Sequence, residues 1–186
     1  MKYPNGINKN FVNIKSHSNR GMGLEEDLND SNNYYLVNDI AVVYKKPVPI
    51  TINKVDFKSR CDAVIKEAHF KTPSTTDYNG IYKGKYIDFE AKETMNLTSF
   101  PLSNIHNHQI EHLKKINIHG GIGFIIVRFT KLNKTYLLFI EELNEFISNN
   151  DRKSIPLTYF EEKGYLIKEG FNPRLNYLEI LKVKGI

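Results

Sequence analysis

Cysteine is nearly missing from this sequence: Cys61 stands alone in 186 residues. Intramolecular disulfides and Cys-rich zinc sites are thereby excluded, and the usage fits a reducing compartment. Long apolar runs are missing too. The longest, Ile122 to Val127 and Tyr136 to Ile140, are too short to span a bilayer. Lys2 is followed by no apolar block, so no secretory leader is expected. There is no internal repeat and no low-complexity tract. Acidic residues are absent from positions 1–20. What is present is ordinary for a globular chain, 40% hydrophobic and 25% charged residues, far from a disordered tail. A chain of this length makes one domain, or one domain with an extension, and buries about 70% of its unfolded surface.

Lys and Arg number 26 against 21 Asp and Glu, a net charge of +5 with a pI near 9.1. The excess is segregated. Residues 1–20 carry Lys2, Lys9, Lys15 and Arg20 with Pro4, Gly6 and several Asn, which reads as a flexible basic arm. A second basic stretch runs from Lys45 to Lys71 and includes Lys46, Lys54, Lys58, Arg60 and Lys66. Between them lie Glu25, Glu26, Asp27, Asp30 and Asp39. Such separation is expected where one surface follows phosphates and a distinct pocket holds a metal.

The apolar pattern predicts a helix over about 22–37 and a short strand over Ile40 to Tyr44. Pro47 and Pro49 with alternating Val48, Ile50 and Ile52 predict an edge or protruding strand, continued as an extension to about 71. Thr75 to Tyr82 and Lys85 to Lys92, joined through Lys83-Gly84, predict a hairpin. Ile105, Ile110, Leu113 and Ile116 mark a helix over about 105–118, closed by Gly120-Gly121. Strands over about 122–130 and 134–140 follow, then a helix from Glu141, then shorter elements with a strand near Tyr177 to Val183. Strands flanked by helices imply an α/β sandwich with a mixed central sheet.

The hairpin carries the chemistry. In Tyr86 to Lys92, period two puts Ile87, Phe89 and Ala91 on one face and Tyr86, Asp88, Glu90 and Lys92 on the other. Asp77 lies in the preceding strand, where pairing brings it alongside Glu90. Two carboxylates on neighbouring strands can hold Mg2+, a hard cation that takes oxygen ligands and keeps several waters. A Lys beside them can orient the attacking water or stabilise charge on a phosphate in flight. Asp88 shares the face of Glu90 and is expected to serve as a surface partner for a nearby Lys. His108-Gln109-Ile110-Glu111-His112 also fits the His-x-x-Glu-His pattern of inverted zincin peptidases, with Glu111 as general base. That pattern needs a third ligand; no downstream motif stands out, although Glu141 and Glu142 are available.

Asp77 followed by Glu90-Ala91-Lys92 resembles the signature of the restriction-endonuclease-like nuclease superfamily, with Thr76 where a Pro is usual. More narrowly, Asn19-Arg20-Gly21-Met22, the run from Ser74 to Thr94, Thr98 to Leu102, His108 to His112 and Pro173-Arg174 are similar to RecU Holliday junction resolvases. The resemblance implies a restriction-endonuclease-like α/β core over 21–186, with a mixed central sheet flanked by helices and a stalk-like insertion at about 46–71. It implies Asp77 and Glu90 as metal-binding carboxylates, Thr75 and Gln109 completing the metal shell, and Lys92 as the transition-state stabiliser. Glu25 and Glu26 lie on a helix that often adds a carboxylate in that superfamily. Also implied are Mg2+, with Mn2+ as substitute, a homodimer acting on four-way junction DNA, and paired symmetric nicks leaving 5′-phosphate ends. Recombinase and branch-migration proteins are implied as partners, and a cytoplasmic, nucleoid-associated location. The alternative is a DNA-bridging recombination module that binds without cutting. Phosphate contacts are expected from Arg20, Lys45, Lys46, Lys54, Lys58 and Arg60.

Overall fold

The computed structural model describes residues 23–57, 59, 62–71 and 75–185. Along the chain come α1 (Leu24–Val37), β1 (Val42–Lys45), β2 (Ile50–Asp56), β3 (Val64–Phe70), β4 (Tyr78–Tyr82) and β5 (Lys85–Thr94). Then follow β6 (Ser99–Pro101), α2 (Asn107–Ile118), β7 (Ile122–Phe129), β8 (Lys134–Phe139) and α3 (Ile140–Asn149). The chain closes with β9 (Ser154–Pro156), α4 (Leu157–Lys163), β10 (Tyr165–Leu166) and α5 (Tyr177–Leu181). No helix among the described residues is long and apolar enough to cross a membrane.

Six strands form the central sheet in the order β1-β4-β5-β7-β8-β10. It is mixed: β5 and β7 run parallel, and the other neighbours are antiparallel. A parallel pair needs a crossover, and α2 lies within it. The β4–β5 hairpin turns at Lys83 and Gly84, with φ of 46° and 77°. Two left-handed residues in a two-residue loop match the right-handed twist of the strands, and glycine takes the second position without strain.

Helices cover both faces of the sheet. On one, Ile87, Phe89, Phe124 and Phe139 pack against Leu24, Leu28 and Tyr35 of α1 and Tyr177, Leu178 and Leu181 of α5. Phe89 stacks on Tyr78 at 4.9 Å between centroids and on Phe124 at 4.8 Å. On the other face, Ile125, Val127 and Leu138 pack against Ile110 and Leu113 of α2, Leu143 and Phe146 of α3, and Phe160 of α4. β7 is covered on both sides and buried at every residue, which explains its almost unbroken apolar sequence.

Two expectations are corrected. The C-terminal segment from Tyr177 is helix α5 followed by a 3-10 turn over Lys182–Lys184, not a strand. Tyr177, Leu178 and Leu181 share one helical face and are buried against the core. Thr75 to Asp77 form a bend leading into β4, which begins at Tyr78.

β2 and β3 form a separate two-stranded ribbon, exposed at every residue. Pro49 lies at its base, where its carbonyl accepts the Lys71 N–H at 2.9 Å. The basic arm at 1–20 lies outside the described residues.

Candidate active site

The face of β5 that carries Ile87, Phe89 and Ala91 is spent on the core, so the alternate residues set the character of the other. There Tyr86, Asp88, Glu90 and Lys92 make a polar row along the strand. Asp88 and Glu90 are both fully buried, unlike the surface position expected for Asp88.

The bend before β4 brings Asp77 beside Glu90. The Asp77 N–H donates to Glu90 Oε2 at 3.1 Å, and the Ala91 N–H donates to Asp77 Oδ2 at 3.3 Å. Lys92 Nζ lies 2.5 Å from Glu90 Oε1 as an ion pair. Burial pushes the Glu90 carboxyl up from 4.5 to about 7. Lys92 opposes that rise through its hydrogen bond and charge, and the negative charge of Asp77 adds to it. A fully buried and a half-buried carboxylate share one part-exposed ammonium, an arrangement that a divalent cation would relieve.

The remaining positions divide. Thr75 is half-buried two residues before Asp77. Gln109 is buried in the first turn of α2, where its Oε1 accepts the His106 N–H at 2.9 Å. His112, three residues on and so on a neighbouring face of the helix, reaches β5: its Nε2 lies 3.1 Å from Asp88 Oδ2. Lys46, expected at phosphates, instead directs Nζ to both oxygens of Asp88, at 3.0 and 2.8 Å, and to Thr76 Oγ1 at 2.8 Å. Lys45 lies at the surface, 2.5 Å from Glu25. Glu26 is exposed, and the buried carboxylate of α1 is Asp27. Lys54 is on the exposed ribbon. Arg20, Lys58 and Arg60 lie outside the described residues.

The zincin-like pattern does not assemble. His112 meets Asp88, Glu111 pairs with Lys114 at 2.9 Å, and His108 stacks on His106 with centroids 5.4 Å apart. Among the described residues no group of three or more His, Cys, Asp and Glu is placed to hold a metal. Asp77 and Glu90 are a pair, so a cation there would draw its other ligands from neutral oxygens or water.

Asp88 is the residue whose importance sequence reasoning missed. Alternation put it on the face of Glu90, but its partners come from the β1–β2 link, the bend and α2, which no local pattern joins. Thr76 donates to Asp88 Oδ1, and the Tyr86 hydroxyl donates to Oδ2 at 3.0 Å while accepting from Asn79.

The model of the family described as recombination protein U, RecU, matches residues 19–183. Proteins named Holliday junction resolvase RecU from Bacillus cereus (strain B4264) and Bacillus cytotoxicus are each 52% identical over 97% of this chain and 96% of their own. The Bacillus mycoides protein of that name is 51% identical over the same shares. A solved structure of Archaeoglobus fulgidus Hjc, a Holliday junction resolvase, aligns over 76% of this chain and 92% of its own, with 12% identity and a TM-score of 0.46. From the family model and the close relatives together, the chain belongs to the RecU family.

Proposed function

We propose that this protein is a divalent-metal-dependent endonuclease that resolves Holliday junctions by paired, symmetric nicks. The observation that carries this reading is the trio Asp77, Glu90 and Lys92, two adjoining carboxylates with an ammonium on one strand face, in a chain whose close relatives bear that name.

The residues fit a hard cation. Asp77 and Glu90 offer oxygens from adjacent segments, held beside each other by two backbone hydrogen bonds. Thr75 and Gln109 would complete the shell with neutral oxygens, directly or through water. Mg2+ suits such a set and Mn2+ can replace it. When bound, the cation supplies charge neutralisation at the scissile phosphate and a more acidic water.

The chain's own groups do the rest. Asp77 and Glu90 fix the site at the end of the β4–β5 pairing. Lys92 is part-exposed, so its ammonium can orient a water toward phosphorus or meet the charge that develops on a phosphate oxygen. The water oxygen bonds to phosphorus as the bond from phosphorus to the 3′ oxygen breaks. One water proton goes to solvent and the 3′ oxygen takes one up, leaving a 5′-phosphate and a 3′-hydroxyl.

A four-way junction has two-fold symmetry and must be cut on two strands of like polarity. A homodimer with closed two-fold symmetry supplies two equivalent sites at a fixed separation. The exposed ribbon of β2 and β3, which carries Lys54, acts as a stalk at the junction, and Lys45 at the surface together with Arg20, Lys58 and Arg60 adds phosphate contacts.

The test is a synthetic immobile junction incubated with Mg2+ and then with chelator, using wild type and Asp77→Ala. Wild type should cut only with the metal, and Asp77→Ala should bind the junction without cutting it. Normal cutting by that variant would overturn the site assignment. Junction binding without any cutting by wild type would favour the DNA-bridging alternative.

A further inference from the structure

Asp88 is fully buried one alternation before Glu90 on the same face of β5. A carboxylate there is costly to keep charged unless its oxygens are paired and hydrogen-bonded. They are. Lys46 Nζ reaches both oxygens at 3.0 and 2.8 Å, Tyr86 donates at 3.0 Å, Thr76 donates to Oδ1, and His112 Nε2 stands 3.1 Å from Oδ2.

Three of these partners, Thr76, Lys46 and His112, lie on segments that carry the nuclease trio or its shell, or are bonded to them. Thr76 sits between Thr75 and Asp77. The Lys46 N–H donates to the Asp77 carbonyl at 2.7 Å, so Lys46 grips the bend by its backbone while its ammonium grips Asp88. His112 follows Gln109 by one turn of α2. The Asp88 carboxylate thus joins three pieces of chain: the link after β1, the bend before β4 and helix α2.

We infer that Asp88 is a positioning residue of the site, which sets the spacing between the bend bearing Thr75 and Asp77 and the helix bearing Gln109, and thereby the site's affinity for its divalent cation. This rests on the metal-dependent reading above. Groups that hydrogen-bond metal ligands are worth about 10–100-fold in metal affinity; Asp88 acts on the segments that bear the ligands, through Lys46, Thr76 and His112.

The test is Mn2+ binding to the full chain, by isothermal titration calorimetry without DNA, for wild type, Asp77→Ala, Asp88→Asn and His112→Gln. Circular dichroism and thermal melting report whether each variant is folded. Folded Asp88→Asn should bind Mn2+ roughly 10–100-fold more weakly. It should bind junction DNA in chelator as wild type does, and recover cleavage as Mn2+ is raised. A purely structural role would not move metal affinity in a folded variant, nor be offset by added metal. If wild type binds no Mn2+, or Asp77→Ala binds it equally well, the metal reading itself fails. If those two behave as proposed while folded Asp88→Asn binds Mn2+ like wild type, the positioning role is overturned. Should Asp88→Asn not fold, His112→Gln decides: several-fold weaker Mn2+ binding supports the role, and unchanged binding overturns it.

Discussion

Asp77 and Glu90 hold each other in place through the backbone as well as by proximity. The N–H of Asp77 is bonded to the Glu90 carboxylate, and the N–H following Glu90 is bonded to the Asp77 carboxylate. The exchange locks a fully buried carboxylate to a half-buried one. Glu90 carries the consequence, with its carboxyl pushed up to about 7 by burial and by the charge of Asp77.

A raised carboxyl binds more protons in the folded than in the unfolded chain. Its contribution to the metal-free protein is therefore greatest below the ordinary value of 4.5 and is lost as pH rises through about 7. In chelator, wild type should lose stability relative to Glu90→Gln as pH is raised across that window. Metal competes with the proton, so added Mg2+ should raise the melting temperature more on the alkaline side than on the acid side. Melts of both proteins across pH, with chelator and with Mg2+, check this; a constant difference between them would refute it.

Lys92 bears on the same equilibrium. Its hydrogen bond and charge hold the Glu90 carboxyl down. Lys92→Met should lower junction cleavage by about 100-fold or more, through loss of the ammonium at the reacting phosphate. It should also move the pH profile for metal binding in the alkaline direction, since Glu90 then ionises less readily. Lys92→Arg should restore part of the profile while leaving the rate low. Cleavage rates and Mn2+ titrations at several pH values separate the two effects.

On the opposite face, the buried carboxylate of Asp27 in α1 meets Arg128 of β7 at 2.7 Å and Arg174 at 3.1 Å. Asp27→Ala takes from the nearly buried Arg128 a carboxylate at 2.7 Å and leaves Glu169 at 3.8 Å, which should cost about 3 kcal/mol in urea unfolding. Arg174 is about a third exposed, and Arg174→Ala should cost only about 1 kcal/mol. A loss under about 1 kcal/mol for Asp27→Ala would mean that the pair does not tie α1 to the sheet.

The parts of the molecule legible in the sequence are those governed by local period. Alternation in Tyr86 to Lys92 and the turn at Lys83-Gly84 fix the hairpin and the shared face of Glu90 and Lys92. The unbroken apolar run at Ile122 to Val127 marks β7 as a central strand. What could not be read depends on distant pairing. Asp88 becomes a buried hub only because the link after β1 and the bend before β4 bring Lys46 and Thr76 to its side, with Lys46 42 positions away. Asp27 meets Arg174 across 147 positions. The segment from Tyr177 failed for a different reason: in a five-residue helix, Tyr, Leu, Ile and Leu fit a strand nearly as well, and only burial against the core distinguishes the two.

The ribbon of β2 and β3 permits a test of what holds the fold and what holds the substrate. All of its residues are exposed, among them Ile50, Ile52, Val55 and Phe70, so it adds little to the core. A two-stranded hairpin is marginal on its own in water, and exposed apolar side chains are a liability unless something covers or uses them. Its base is already closed by the bond between Pro49 and Lys71. Replacing residues 50–70 with a short glycine link should therefore leave the melting temperature within a few degrees of wild type. The excised segment contains Lys54, Lys58, Arg60 and Lys66. Every DNA phosphate that the shortened protein no longer neutralises should reduce the slope of log affinity against log salt by about 0.9. Junction binding should weaken, and its salt dependence should flatten by the equivalent of two or more phosphates, roughly 2 in slope. A folded deletion with an unchanged salt slope would place the phosphate-binding groups elsewhere, on Lys45 and the basic arm.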